Sequence, residues 1–295
     1  MVVFITLNSS MAFAVGEYYL LKREFNKNLA KLVQTTQSPE ELVNILKQQV
    51  LPAKGYTTTI PWKNLGKQLV DIGAIDKQKY VEIFTSSGNG KEEMKYLEGE
   101  SMDKMMINEG NSRFMVNTLW ALGLVNKSKV LDEGPMMQQG RDKVGNFAST
   151  GGWTLGSKGA MELYSSQEII PLTSEQQDLV KKIAENVFRS CCGNSTAFPD
   201  CNHGMAALGY IEWAVYNGLS EKQIYKDLLS FNSFWFPQNY VEMAMYFEKQ
   251  GTKWKDVDPK VALSLDYSSL QGAQRIKQAV QNVPGIQSQG GGCGA

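Results

Sequence analysis

Apolar positions spaced three and four residues apart recur along most of the chain, while strict alternation is rare. Leu42, Ile45 and Leu46 share one helical face, as do Leu179, Ile183 and Val187, and Ile224, Leu228 and Phe231. Each of these stretches follows a helix-start signal. Ser38 with Glu41, Thr173 with Gln176 and Ser220 with Gln223 match the spacing at which a hydroxyl and a carboxylate or amide reciprocally cap a first turn. Pro39 stands where a first-turn proline is tolerated.

A shared stop signal accompanies these starts. Gly73, Gly123 and Gly218 are each followed by an apolar residue, then by Ile75-Asp76, Val125-Asn126 and Ser220 respectively. A glycine past a helix end takes the left-handed conformation cheaply, and the next polar residue can cap a new helix. Only residues 56–60 alternate with period two. The pattern predicts an all-α, multi-helix globular fold built from helix-turn-helix units.

Five regions divide the chain. Residues 1–15 are mostly apolar, with a polar break at Asn8, Ser9 and Ser10, and Ala12-Phe13-Ala14 fits a signal-peptidase site; they read as a signal or an apolar N-terminal segment. Export to the cell envelope or beyond is the expectation, with a cytoplasmic location the alternative. Residues 16–133 form an N-terminal helical region and 160–282 a C-terminal one. Between them, residues 134–159 (GPMMQQGRDKVGNFASTGGWTLGSKG) carry seven glycines. Phe147, Trp153 and Leu155 predict that this loop folds over the body. Its GGWTLGSKG is not a phosphate-binding loop, because Ser157 precedes Lys158 and no strand leads in. Residues 283–295 read as a flexible Gly-rich tail ending in a thiol, Cys293.

Thirty basic residues balance thirty acidic ones, which argues against nucleic acid as the main partner, since duplex binding needs a basic patch. No stretch is long and apolar enough to be a firm membrane span. Protein partners are not specified by the sequence.

The concentrated chemistry lies in CCGNSTAFPDCNHG, residues 191–204, which holds three of the four cysteines and the only histidine. The helical spacing from Thr173 onward and the stop at Gly193 place Cys191 and Cys192 at a helix C-terminus, where the partial negative charge disfavours a thiolate. Pro199 and Asp200 open the next helix, so Cys201 stands at its N-terminus and is expected to ionise most readily. That helix is apolar nearly all round. Its one charge, Glu212, is too far along the axis to share a site with Cys201 and is expected to pair with another element.

Thiolates and an imidazole suit zinc or Cu(I). The first reading is therefore a transition-metal site built from Cys191, Cys192, Cys201 and His203, with Cys293 as a further donor. Residues two apart on a helix point about 200° apart, so Cys201 and His203 share an ion only if the first turn unwinds. Asp200 and His203 are the alternative pair, with the carboxylate orienting the imidazole. The second reading is an exported thiol-disulfide redox protein using the same cysteines without metal, with Cys293 as an exchange arm. The third is a helical interaction module with structural cysteines. A papain-like cysteine nucleophile is disfavoured, because the only imidazole faces away from Cys201. Met102, Met105, Met106, Met136 and Met137 read as gap fillers in the core or an adaptable surface. No catalytic residue and no reaction follow from these patterns.

Overall fold

The structure, a computed structural model, describes Arg23 and residues 38–86 and 90–286. Residues 1–15, read above as a signal or apolar segment, and the Cys293 thiol lie outside the described residues. The longer helices are α1 (Pro39–Val50), α2 (Leu65–Asp71), α3 (Lys77–Thr85), α4 (Ser112–Val125), α5 (Ser174–Ala184), α6 (Asn202–Tyr216), α7 (Glu221–Trp235), α8 (Pro237–Lys249) and α9 (Leu270–Val280). Among the described residues, none is long and apolar enough to cross a membrane.

The fold is mostly helical, with one addition to the all-α expectation. Strand β1 (Tyr56–Lys63) pairs antiparallel with β2 (Ser101–Ile107) in register Tyr56 to Ile107 and Thr57 to Met106. The register shifts around Pro61, which cannot donate to the ladder. The methionine-rich run SMDKMMI is this second strand. Met105 faces the core, while Met102 is 70% exposed. Met136 is fully buried.

Start signals are used as the sequence predicts. Thr173 and Gln176 form a complete capping box on α5. Ser38 and Ser220 accept from the amides of Glu41 and Gln223 at 3.1 and 3.3 Å. The Gln223 amide does not reach back to the cap; it binds Asp227 at 2.7 Å and the Tyr56 hydroxyl at 3.2 Å. Gly73 and Gly218 take positive φ at helix ends.

Gly123 does something else. It lies inside α4, buried against α6, and an added Cβ would stand 2.1 Å from the Met205 carbonyl oxygen. Gly209 on α6 is its counterpart, where a Cβ would meet the Leu119 carbonyl oxygen at 2.4 Å and the Gly123 amide at 2.7 Å. This pair lets two nearly all-buried helices touch backbone to backbone at the centre of the core. Gly209→Ala is expected to force the helices apart, costing about 1–3 kcal/mol as overpacking does. A urea midpoint equal to that of the parent protein would refute that packing role.

The Gly-rich loop folds onto the body. Trp153 donates to the Ala74 carbonyl at 3.0 Å and Trp120 to the Ser149 carbonyl at 2.6 Å, with the two indoles edge to face at 4.9 Å. Farther along, the Ser149 amide donates to the Asp200 carbonyl at 3.1 Å, and Phe147 packs on Phe198 at 5.4 Å. The loop thus braces the segment that enters α6.

A candidate three-cysteine metal centre

Helix α5 ends at Ala184, seven residues before Cys191, so Cys191 and Cys192 are not at a helix C-terminus. Glycine at 193 is a weaker stop than the sequence reading assumed, because the chain leaves the helix earlier to form an irregular loop. That loop doubles back on itself. Phe188 and Ser195 form an antiparallel bridge, Thr196 donates to the Val187 carbonyl at 2.8 Å, and Ala197 returns to the Ala184 carbonyl at 3.1 Å. Its outer side is held by the Leu270 amide, at the start of α9, which donates to the Cys192 carbonyl at 2.9 Å. The fold-back carries Cys191 and Cys192 onto the N-terminus of α6.

Cys201 is the N-cap of α6, and its sulfur accepts from the Gly204 amide at 3.3 Å. Around it the three sulfurs form a triangle. Cys191 lies 3.4 Å from Cys201, Cys192 lies 3.7 Å from Cys201, and Cys191 and Cys192 are 4.0 Å apart. All three side chains are half-buried thiols without a disulfide. They are the group of potential ligand atoms that converge closely enough to hold an ion among the described residues.

Beneath the triangle lies Arg189, which is fully buried. One of its terminal nitrogens, Nη1, donates to the Asn194 carbonyl at 2.7 Å. The other, Nη2, lies 3.3 Å from Asp200 Oδ1 and 3.4 Å from the Cys201 sulfur. Asp200 also accepts from the Asn194 side chain at 2.7 Å. A Cβ at Gly204 would stand 2.4 Å from Nη2, so glycine there makes room for the guanidinium. The electrostatics follow from this arrangement. Hydrogen bonds from Cys191 and Cys192, together with the Arg189 charge, hold the Cys201 thiol well below the ordinary thiol range despite burial. Cys191 is pushed up by its contacts with Cys192 and Cys201. At Cys192 the contact with Cys191 pulls down, but the Cys201 contact and burial leave it at about 11. Of the three, Cys201 is therefore the sulfur whose ionised form the surroundings favour most.

His203 stands apart from the triangle. It is 1% exposed, its ring packs on Phe236 at 4.5 Å and Trp235 at 5.7 Å, and its Nδ1 has no partner. Burial lowers its pKa to about 4, so the imidazole is neutral. The Asp200 carboxylate, the sequence reading's alternative partner for His203, is taken by Arg189 and Asn194. Glu212 is paired, as expected, with the Asn126 side chain at 3.0 Å.

Arg189 is the residue the sequence reading missed. Its signal was a lone cation between apolar Val187-Phe188 and the cysteine pair, eleven residues before Asp200. Concavity alone points elsewhere, to a groove of about 1050 Å³ lined by Tyr56, Tyr225, Phe234 and Trp254 that includes no cysteine. Behind its Tyr56 wall the buried Asp227 accepts from both Tyr56 and Tyr210, which accounts for its carboxylate as a structural acceptor. The convergence of soft donors makes the cysteine turn the better candidate. The chain matches no protein-family model, and neither the curated proteins nor the solved structures include a match, so the site stands on its own chemistry.

Proposed function

We propose that the protein binds a soft transition-metal ion, zinc or Cu(I), through Cys191, Cys192 and Cys201. The observation that carries this reading is the size of the sulfur triangle. An ion about 2.3 Å from three sulfurs at tetrahedral angles needs S–S edges of about 3.8 Å. The edges are 3.4, 3.7 and 4.0 Å. A planar three-coordinate ion at the same bond length needs edges of about 4.0 Å, so the triangle fits an ion seated above the sulfur plane, as zinc with a fourth ligand would be. Charge supports the same reading. Three thiolates around a divalent ion carry one net negative charge, and the buried Arg189 guanidinium lies against Cys201 to offset it.

The fourth position falls to Cys293, to His203 after leaving its aromatic bed, or to a non-protein ligand. Competition titration of the reduced protein against a chromophoric zinc chelator tests the site, with cobalt substitution reporting thiolate ligation by its charge-transfer absorption. One ion per chain is expected, and Cys201→Ser should abolish stoichiometric binding. Unchanged metal content in that variant would overturn the assignment. A loss of affinity in His203→Ala or in Cys293→Ser identifies the fourth ligand, and parental affinity in both assigns the position to a non-protein ligand.

A further inference from the structure

We propose that the same three cysteines are an oxidation switch, in which a hydroperoxide joins Cys191 to Cys201 as a disulfide and the metal and that bond exclude each other. The exclusion half rests on the metal reading above; the disulfide half stands without it. The sulfur separations choose the pair. Cys191 and Cys201 are the closest at 3.4 Å, and Cys192 is 3.7 Å from Cys201. Closing to the bonded distance of about 2.05 Å needs only a modest side-chain movement from 3.4 Å. The adjacent pair is the widest at 4.0 Å, and neighbouring residues bridge only with strain.

Geometry also orders the steps. The Cys201 sulfur receives an N–H from Arg189 Nη2 and one from the Gly204 backbone, at the N-cap of a fifteen-residue helix. Donors so placed stabilise a sulfur anion, which is the form that attacks peroxide. Cys201 sulfur bonds to one peroxide oxygen, the O–O bond breaks, and the other oxygen leaves as hydroxide or alkoxide and takes up a proton. Cys201 is then a sulfenic acid. The Cys191 sulfur attacks it, an S–S bond forms, and the sulfenic oxygen departs as water with the Cys191 proton. Two electrons leave the sulfurs and reduce the peroxide to water and an alcohol, or to two waters for hydrogen peroxide. Cys192 keeps its thiol. An ion held by three sulfurs retains one, and is released.

The experiment uses full-length protein, with and without bound zinc, treated with stoichiometric hydrogen peroxide. Three readouts are followed: free thiols, released zinc and the cross-linked peptide. No Lys or Arg lies between Arg189 and Lys222, so trypsin leaves the three cysteines in one peptide. Cleavage before Asp200 separates Cys201 from the adjacent pair. The expected result is a fall from four reactive thiols to two, a Cys191–Cys201 cross-link, zinc released one-for-one with the bond, and recovery of both on reduction. Cys192→Ser should still form the bond; Cys191→Ser should not, and should instead accumulate a dimedone-reactive Cys201. A cross-link through Cys192, or four thiols surviving oxidation, overturns the proposal. Zinc that stays on the disulfide form overturns the exclusion. A protein that forms the Cys191–Cys201 bond yet never takes zinc sinks the metal reading and the exclusion with it, and leaves the thiol chemistry standing.

Discussion

Replacing Arg189 by methionine is expected to destabilise the protein by about 3 kcal/mol, toward the lower end of the range for removing one partner of a buried ion pair. Methionine fills similar space without the charge. The Asn194 carbonyl loses its donor, and Asp200 keeps only the Asn194 side chain. Asp200 has 22% of its side chain exposed, so water recovers part of the loss. Cys201 loses the cation beside its sulfur and reverts toward an ordinary buried thiol. Two measurements separate packing from charge. The urea midpoint reads the stability change. The pH midpoint of Cys201 alkylation reads the electrostatic one, and should move up in the variant. Gly204→Ala leaves the guanidinium in the chain but places a methyl where its Nη2 sits. It should raise the alkylation midpoint in the same direction, since it displaces the same donor. Stability within about 0.5 kcal/mol of the parent, the ordinary effect of a surface substitution, would mean that Arg189 is not the buried anchor of this loop.

The difference between Arg189 and Cys201 marks how far the sequence could be read. Cys201 was legible because a proline-aspartate pair followed by an apolar run announces a helix start, and a residue just before such a start feels the helix dipole. Its neighbours were legible only as composition. That Cys191 and Cys192 fold back onto Cys201 depends on the Phe188–Ser195 bridge, which helical periodicity does not encode, and on the distant Leu270 amide. The early end of α5 was hidden for a related reason. Val187 continues the apolar spacing of Leu179 and Ile183, but serves the loop bridge, where its carbonyl accepts from Thr196. Gly123 was misread as a stop because a glycine near an apolar stretch looks alike whether it ends a helix or lets another helix approach. Only Gly209, eighty-six residues on, distinguishes the two. The second strand escaped because its methionines and charges lack clean alternation. The N-caps at Ser38, Thr173 and Ser220 were legible because start signals are local chemistry, although only Thr173 and Gln176 close the reciprocal box.

Glu212→Gln is expected to make the protein progressively more stable than its parent as pH rises. Glu212 is fully buried in α6 between the two central helices. Burial pushes its pKa from 4.5 up to about 8, although hydrogen bonds from Ser128 and Asn126 pull part of the way back. The folded value lies above the unfolded one, so the fold favours the protonated carboxyl. That preference is fully present below about pH 4.5 and is lost as pH climbs through about 8. At about 1.4 kcal/mol per pH unit, the parent should lose up to about 4 kcal/mol relative to the variant between pH 5 and pH 9. Glutamine keeps the shape and an oxygen to accept from Asn126, whose own side-chain oxygen holds the Ile170 amide at 2.9 Å. Glu212→Ala serves as the contrast. It also removes the titrating carboxyl, but opens a cavity in the core, so it should be offset from the glutamine variant by a cost that does not vary with pH. Denaturant midpoints taken across that range decide the matter: parallel curves for the parent and Glu212→Gln would show that this carboxyl does not titrate within the folded protein. If the curves diverge as expected, the Asn126–Glu212 contact is a neutral hydrogen bond at physiological pH. The two central helices then meet without a buried charge, and the Arg189 guanidinium beside the cysteine triangle remains as the cation seated fully inside this part of the fold.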